Sequence, residues 1–327
     1  MPKVLITGGA GFIGYHLGKA LASQGYGVTL CDNFFRGKMD EDLAELCRHP
    51  KVHLIACDLT QPDSLNLLQD EYDFTYHLAA INGTRHFYEM PDVVLRVNIL
   101  ALINLLDRSA DGRLGKILFA SSSEVYAGTA RAYGVALPTP EEVPLVLDDL
   151  QNPRLSYGAS KILGELLVIN YARARKLPMA IVRYHNVYGP RMGYEHVIPQ
   201  FCRRILNRED PFSIFGAADT RAFCYIDDAV RATQLVMECD DANSCMLNVG
   251  NSQEEIAIVD LASLMFDLFD FHPRVNIQSA PEGSVKRRCP DTSNLTRLTG
   301  YHPETALEMG LVKTHVWYKK AAVPQEA

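Results

Sequence analysis

Along the first half of the chain, short apolar runs alternate with longer stretches whose apolar positions recur every three to four residues. The short runs are Lys3–Thr7, Val28–Cys31, Val52–Cys57, Thr75–Leu78, Lys116–Ala120 and Met179–Arg183. Phe12–Gln24, Val93–Ala110 and Gly158–Arg175 carry the helical spacing. This alternation predicts βαβ units and a parallel sheet, and right-handed crossovers then make the fold a doubly wound α/β (Rossmann) sheet. After Arg183 the pattern becomes irregular, broken by Gly189-Pro190, Pro199, Pro211, Gly216, Pro273, Pro281, Gly283, Pro290 and Pro303, with helical spacing at Asp227–Met237 and Val259–Phe269. The expected organisation is a Rossmann domain over 1–183 and a smaller α/β C-terminal lobe over 184–327, some of whose segments return to the main sheet. No internal repeat is found. The tail beyond Lys320 is expected to fray.

A chain of 327 residues can bury one large core or two unequal ones. Its net charge of −7 and scattered Lys and Arg, clustered only at Lys286-Arg287-Arg288, argue against a nucleic-acid partner. No apolar run approaches the ~20 residues of a membrane span. Met1-Pro2-Lys3-Val4-Leu5-Ile6-Thr7 leads straight into a strand without the features of a signal peptide, so a cytoplasmic location is expected. The eight cysteines (31, 47, 57, 202, 224, 239, 245 and 289) include no C-x-x-C pair. They predict free, mostly buried thiols and no metal site.

Gly8-Gly9-Ala10-Gly11-Phe12-Ile13-Gly14 joins the first strand to the first helix. Its glycines allow a tight turn and close approach of backbone to a pyrophosphate, and the helix start offers free N–H groups. The spacing is G-x-x-G-x-x-G rather than G-x-G-x-x-G. Asp32 ends the second strand, 32 − 14 = 18 residues after the last glycine. A carboxylate there accepts bonds from the adenosine ribose and disfavours a 2′-phosphate, so the predicted cofactor is NAD. Arg36 and Lys38, close by, soften that preference.

Tyr157-Gly158-Ala159-Ser160-Lys161 places a phenol and an ammonium on one helix face. Free phenol, with a pKa near ~10, is a poor base at neutral pH. A neighbouring ammonium and an oxidised nicotinamide favour its phenolate, which takes an alcohol's proton while hydride leaves the same carbon.

With these two motifs the chain resembles the extended short-chain dehydrogenase/reductases, in their NAD-dependent nucleotide-sugar epimerase/dehydratase branch. UDP-glucose 4-epimerase, UDP-glucuronate decarboxylase and dTDP-glucose 4,6-dehydratase belong to it. The similarity runs from about residue 3 to about residue 318. It includes Asp32-Asn33-Phe34-Phe35, Asp58-Leu59, His77-Leu78-Ala79-Ala80, Asn98, Ser121–Tyr126, Arg183–Arg191, Thr220–Phe223 and Asn248-Val249-Gly250.

The resemblance implies a cofactor site of Gly8, Gly11, Phe12, Ile13, Gly14, Asp32, Asn33, Asp58, Leu59, Leu78, Ala79, Ala80, Asn98, Tyr157, Lys161 and Tyr184. It implies a catalytic group of Ser122, Ser123, Glu124, Tyr157 and Lys161, in which Ser122 relays the sugar hydroxyl's proton to Tyr157. Thr84, Asn186, Val197, Arg221 and one of Arg287 or Arg288 would hold a nucleotide-diphosphate sugar. A planar guanidinium suits phosphate oxygens. A homodimer through the helices near 93–110 and 158–175 is also implied.

Oxidation to a 4-keto sugar acidifies the neighbouring carbons and leaves several outcomes open. Return of the hydride to the other face makes a simple UDP-sugar 4-epimerase. A carboxylate at Glu124 would serve as base or acid for dehydration or decarboxylation, or would be structural. Ser122-Ser123-Glu124 lacks the Asp of the 4,6-dehydratases, and Asp32–Gly37 and Thr220–Phe223 look decarboxylase-like. The segment 127–156 is long, Ile81–His86 should face the sugar, and His86 is a candidate acid/base. A dehydrogenase that releases its reduced cofactor, and a non-catalytic NAD-binding sensor on the same fold, are the alternatives from other classes.

Overall fold

The computed structural model describes residues 1–69, 71–108, 114–280 and 285–322. Positions 109 and 110, Pro281, Gly283 and the tail from 323 lie outside them. Six strands of the first half lie in one parallel sheet: β1 (Lys3–Thr7), β2 (Gly27–Asp32), β3 (Val52–Ala56), β4 (Phe74–His77), β5 (Lys116–Ser122) and β6 (Met179–Tyr184). Their spatial order is 3-2-1-4-5-6, the doubly wound order. A seventh strand, Met246–Val249, lies parallel beside β6 with Asn248 opposite Arg183.

The strands read as continuous apolar runs because both sheet faces are covered. Val4 and Ile6 of β1 feed one core and Leu5 the other; in β5, Leu118 feeds the first, Ile117 and Phe119 the second. The first core is covered by α1 (Phe12–Ser23) and the helix Ile226–Glu238. It runs on into the C-terminal lobe through Phe201, Phe212, Phe266 and Phe271, whose rings meet edge to face. Five further helices precede β6: α2 (Glu41–Leu46), α3 (Thr84–Glu89), α4 (Pro91–Arg108), α5 (Ala127–Ala132) and α6 (Leu155–Arg175). Of these, α4 and α6 pack together over the second core.

Helix α6 begins three residues earlier than its spacing predicts. Asn152 accepts the Arg154 N–H (3.0 Å) in a turn that launches it, so Tyr157 and Lys161 both sit inside the helix. The stretch 127–156 is folded rather than open. Its start is α5, and Arg131 pairs with Asp148 at 2.6 Å. The C-terminal lobe adds three small sheets, one of which sets Thr220–Ala222 between Glu255–Ala257 and Arg287–Arg288. All eight thiols are free; five are buried, and Cys47, Cys239 and Cys245 half-buried.

Candidate active site

The carboxyl ends of β1, β2, β4, β5 and β6 open into one cleft of about 790 Å³, roofed by the C-terminal lobe. In doubly wound sheets ligands bind at this edge, where the strand order reverses. At the end of β1, Gly8 has φ +72°, and a Cβ there would come within 2.9 Å of the Ala79 backbone nitrogen. Gly11 begins α1 without a side-chain cap. The first-turn amides have no intrahelical acceptor, and Phe12 and Ile13 of that turn line the cleft. Asp32 accepts the Ala10 N–H (3.0 Å) and the Phe34 N–H (2.8 Å). Burial nevertheless pushes its carboxyl above the usual range. A side-chain-free bend, open amides and a fixed carboxylate fit a dinucleotide.

Deeper in, Tyr157 and Lys161 lie on the buried face of α6. Burial raises the Tyr157 phenol; the Ser122 hydroxyl bonded to it works the other way. Phe87 stacks on its ring at 5.0 Å. The Lys161 ammonium donates to Ala120 O (2.8 Å) and lies 5.6 Å from the Tyr157 ring centre. Burial pulls its pKa down to about 7. Asn98 bonds both backbone groups of Ile81 and so braces the loop after β4. Asp58 accepts from Thr60, and Asn186 donates to Ala222 O.

Glu124 sits between two arginines, 2.8 Å from Arg288 and 3.6 Å from Arg154. Burial alone would raise its carboxyl, but the two guanidinium groups overrule it and hold the pKa at about 2. It is therefore an anion throughout the physiological range and no proton donor there. Arg221 bonds the Thr220 and Lys286 carbonyls and lies 3.6 Å from Asp219.

The cleft gathers every residue expected in the site from its motif except one. Arg287 lies outside it. Adjacent strand residues point to opposite faces, so Arg288 turns inward and Arg287 outward, where it forms a two-point pair with Glu255 (2.6 and 2.7 Å). Thr84 and Val197 line the cleft. His86 does not line it. Its Nδ1 meets Asn82 O at 3.1 Å and Glu195 at 3.7 Å.

Arg154, Glu195 and His196 also line the cleft and escape motif reading, and Arg36, expected only to modify the cofactor preference, reaches into it. Arg154 carries a signal, standing one helical turn before Tyr157. Behind the site, Glu165 binds Arg183 through both oxygens (2.8 and 2.6 Å) and accepts from Ser121 (2.6 Å). Arg183 also reaches the Tyr126 hydroxyl (2.8 Å), itself bonded to Asn248 (2.9 Å). This buried network ties β5, α6, β6 and the seventh strand together beneath Ser122.

Residues 4–250 match the model of the NAD dependent epimerase/dehydratase family. The chain is 33% identical to a UDP-N-acetyl-alpha-D-glucosaminuronate decarboxylase of Bacillus cytotoxicus, over 97% of this chain and 98% of that one. It is 31% identical to UDP-glucuronic acid decarboxylase 1 of Xenopus tropicalis, over 97% and 72% respectively. Among solved structures it resembles UDP-glucuronic acid 4-epimerase of Bacillus cereus in complex with UDP-glucuronic acid and NAD. That match has a TM-score of 0.86 at 29% identity, over 98% and 99% of the two chains.

Proposed function

The chain belongs to the NAD-dependent epimerase/dehydratase family, and from that premise we propose that it decarboxylates a nucleotide-linked hexuronic acid. It is an NAD-dependent enzyme of nucleotide sugars; the acidic sugar and the loss of CO2 are the finer reading. One observation carries it: two arginines, Arg154 and Arg288, share a single carboxylate, Glu124, on the cleft wall near Tyr157. One positive charge is left over. A desolvated surplus cation recruits an anion, and the anion that distinguishes a uronic acid from a neutral hexose is its C6 carboxylate.

The Gly8–Gly14 bend, Asp32 and Lys161 would hold NAD, which when bound would supply a reversible hydride acceptor for C4 of the sugar. Tyr157 takes the C4 hydroxyl's proton through Ser122, and Lys161, one turn along, favours the phenolate. The C6 carboxylate, held by Arg288 and Arg154, is then β to a ketone. The C5–C6 bond breaks, CO2 leaves, and its electron pair moves onto the C4 oxygen, where Ser122 and Tyr157 donate hydrogen bonds. Water protonates C5, and Tyr157 gives its proton back to O4 as the ketone is reduced. Asn186 and Arg221 hold the diphosphate.

The test offers NAD-loaded protein UDP-glucuronic acid and UDP-N-acetylglucosaminuronic acid, with UDP-glucose as control, and weighs the products. A product lighter by one CO2 is expected. An unchanged mass with an inverted centre would make it an epimerase, the activity named for the Bacillus cereus structure, and loss of water a dehydratase. Either overturns the proposal.

A homodimer is part of this proposal. Val93 and Leu95 on α4, and Leu163 and Leu166 on α6, are exposed apolar residues on two adjacent helices, a surface suited to a second copy. Among the described residues no helix is long and apolar enough to cross a membrane. The free thiols suit a reducing compartment, the cytoplasm.

A further inference from the structure

Arg36 is a cation inside the cleft that none of the chemistry above uses. It follows β2, and its backbone lies on the Gly bend. A Cβ at Gly37 would come within 2.7 Å of Ala10 and 3.0 Å of Asp32. Its side chain crosses to the opposite wall, with Nη2 3.7 Å from where a Gly193 Cβ would stand. Its charge is felt by Asp32 at the adenosine end and by Tyr157 at the nicotinamide end. It therefore stands between the anchors of the cofactor's two halves, where a dinucleotide carries its pyrophosphate.

The other cleft arginines each have a carboxylate neighbour within the protein: Arg154 and Arg288 share Glu124, Arg191 pairs with Asp40, Arg204 with Glu209, and Arg221 lies 3.6 Å from Asp219. Among the described residues Arg36 makes no hydrogen bond or ion pair. On the facing wall Glu195 has one oxygen, Oε2, buried without a hydrogen-bond partner. Of the charged groups around Arg36, Glu195 acts on it most strongly. Two opposite charges thus face each other from the two sides of the cleft without touching.

We propose that Arg36 clamps the pyrophosphate of NAD from the side opposite the α1 amides, and that Glu195 steadies the guanidinium across the cleft. A fork of N–H donors matches two phosphate oxygens, while the carboxylate takes a remaining N–H. The clamp closes over the cofactor and slows its escape, which suits an enzyme that regenerates NAD within each turnover. Committed to the pyrophosphate, Arg36 is not available for a 2′-phosphate beside Asp32. The inference rests on NAD binding and not on the fate of the sugar's carboxylate.

The test is calorimetric titration of NAD-free Arg36→Ala, Arg36→Lys and Glu195→Gln proteins with NAD, NADP, ADP-ribose and UDP. NAD retained through gel filtration is measured in parallel. Arg36→Ala should weaken NAD and ADP-ribose alike by roughly ten- to hundredfold and leave the NAD/NADP ratio and UDP affinity unchanged. Retained UDP binding shows that the variant is folded. Arg36→Lys should restore part of the loss, and Glu195→Gln should cost less than Arg36→Ala. Unchanged NAD affinity in Arg36→Ala, an equal loss for UDP, or a loss confined to NADP would each overturn the clamp.

Discussion

The leftover positive charge beside Tyr157 makes a prediction that turns on counting. The wild-type group is two guanidinium ions to one carboxylate. Arg288→Gln makes it neutral, Glu124→Gln makes it doubly positive, and the double variant restores the single surplus charge. A direct contact such as the 2.8 Å Arg288–Glu124 pair is worth about 6 kcal/mol of Coulomb attraction at an effective dielectric of about 20. After desolvation, a charged hydrogen bond to the sugar's carboxylate nets about 1.5–3 kcal/mol, roughly ten- to hundredfold in Kd. Arg288→Gln should lose that factor for UDP-glucuronic acid and not for UDP-glucose. Glu124→Gln should tighten the acidic sugar, and the double variant should approach wild type. Calorimetry on NAD-loaded protein, in a Tyr157→Phe background that blocks turnover, reads all four.

The pH dependence follows with its sign. Glu124, held at about 2 by Arg288 and Arg154, keeps its charge at any pH the protein tolerates, so wild-type discrimination should be flat from about pH 5 to 8. Without Arg288 its pKa rises, and acidification frees Arg154, so discrimination in Arg288→Gln should recover as pH falls. Equal losses for acidic and neutral sugars, or a Glu124→Gln variant that binds the uronate more weakly, would refute the charge count.

Tyr157→Phe should lower kcat by about a hundred- to ten-thousandfold with NAD retention unchanged, as stopped assays and gel filtration will show. Lys161, lowered by burial to about 7, imposes a stability cost that is full below pH 7 and relieved as pH rises toward the ordinary lysine range. Lys161→Met should therefore stabilise NAD-free protein at pH 7 by about 1–3 kcal/mol while abolishing turnover, and a lower Tm at pH 7 would contradict this. Glu165→Leu strands the Arg183 guanidinium and should cost about 3–5 kcal/mol in urea unfolding; the double variant with Arg183→Met should recover much of that. Leu163→Asp with Leu166→Asp should give a monomer by light scattering.

Motifs that act through backbone geometry were legible in the amino-acid order. A strand, a glycine bend and a helix must be contiguous, and Tyr157 and Lys161 lie within one turn. The same holds for the sheet, whose apolar runs are long enough to name. Tertiary partners were not. Nothing near Glu124 in the chain shows that Arg288, more than 160 positions away, neutralises it. Arg36 read as a modifier of cofactor choice because only its distance from Asp32 was visible, not the direction of its side chain. Arg287 and Arg288 looked equivalent until the strand's pleat separated them. Glu165 left a faint signal, an acid two turns beyond Tyr157 on the face that α6 buries.

The strand Met246–Val249 completes the sheet from far along the chain, about 60 residues after β6 ends. On a ribosome adding about 5–20 residues per second, β6 waits roughly 3 to 12 seconds with an open flank and with Arg183 lacking its Asn248-side neighbours. A fragment ending near residue 183 would keep that flank open permanently, a ready template for sticking to other chains. The half of the chain that carries the glycine bend is thus unfinished on its own, and its open flank is closed only by a strand made well after it.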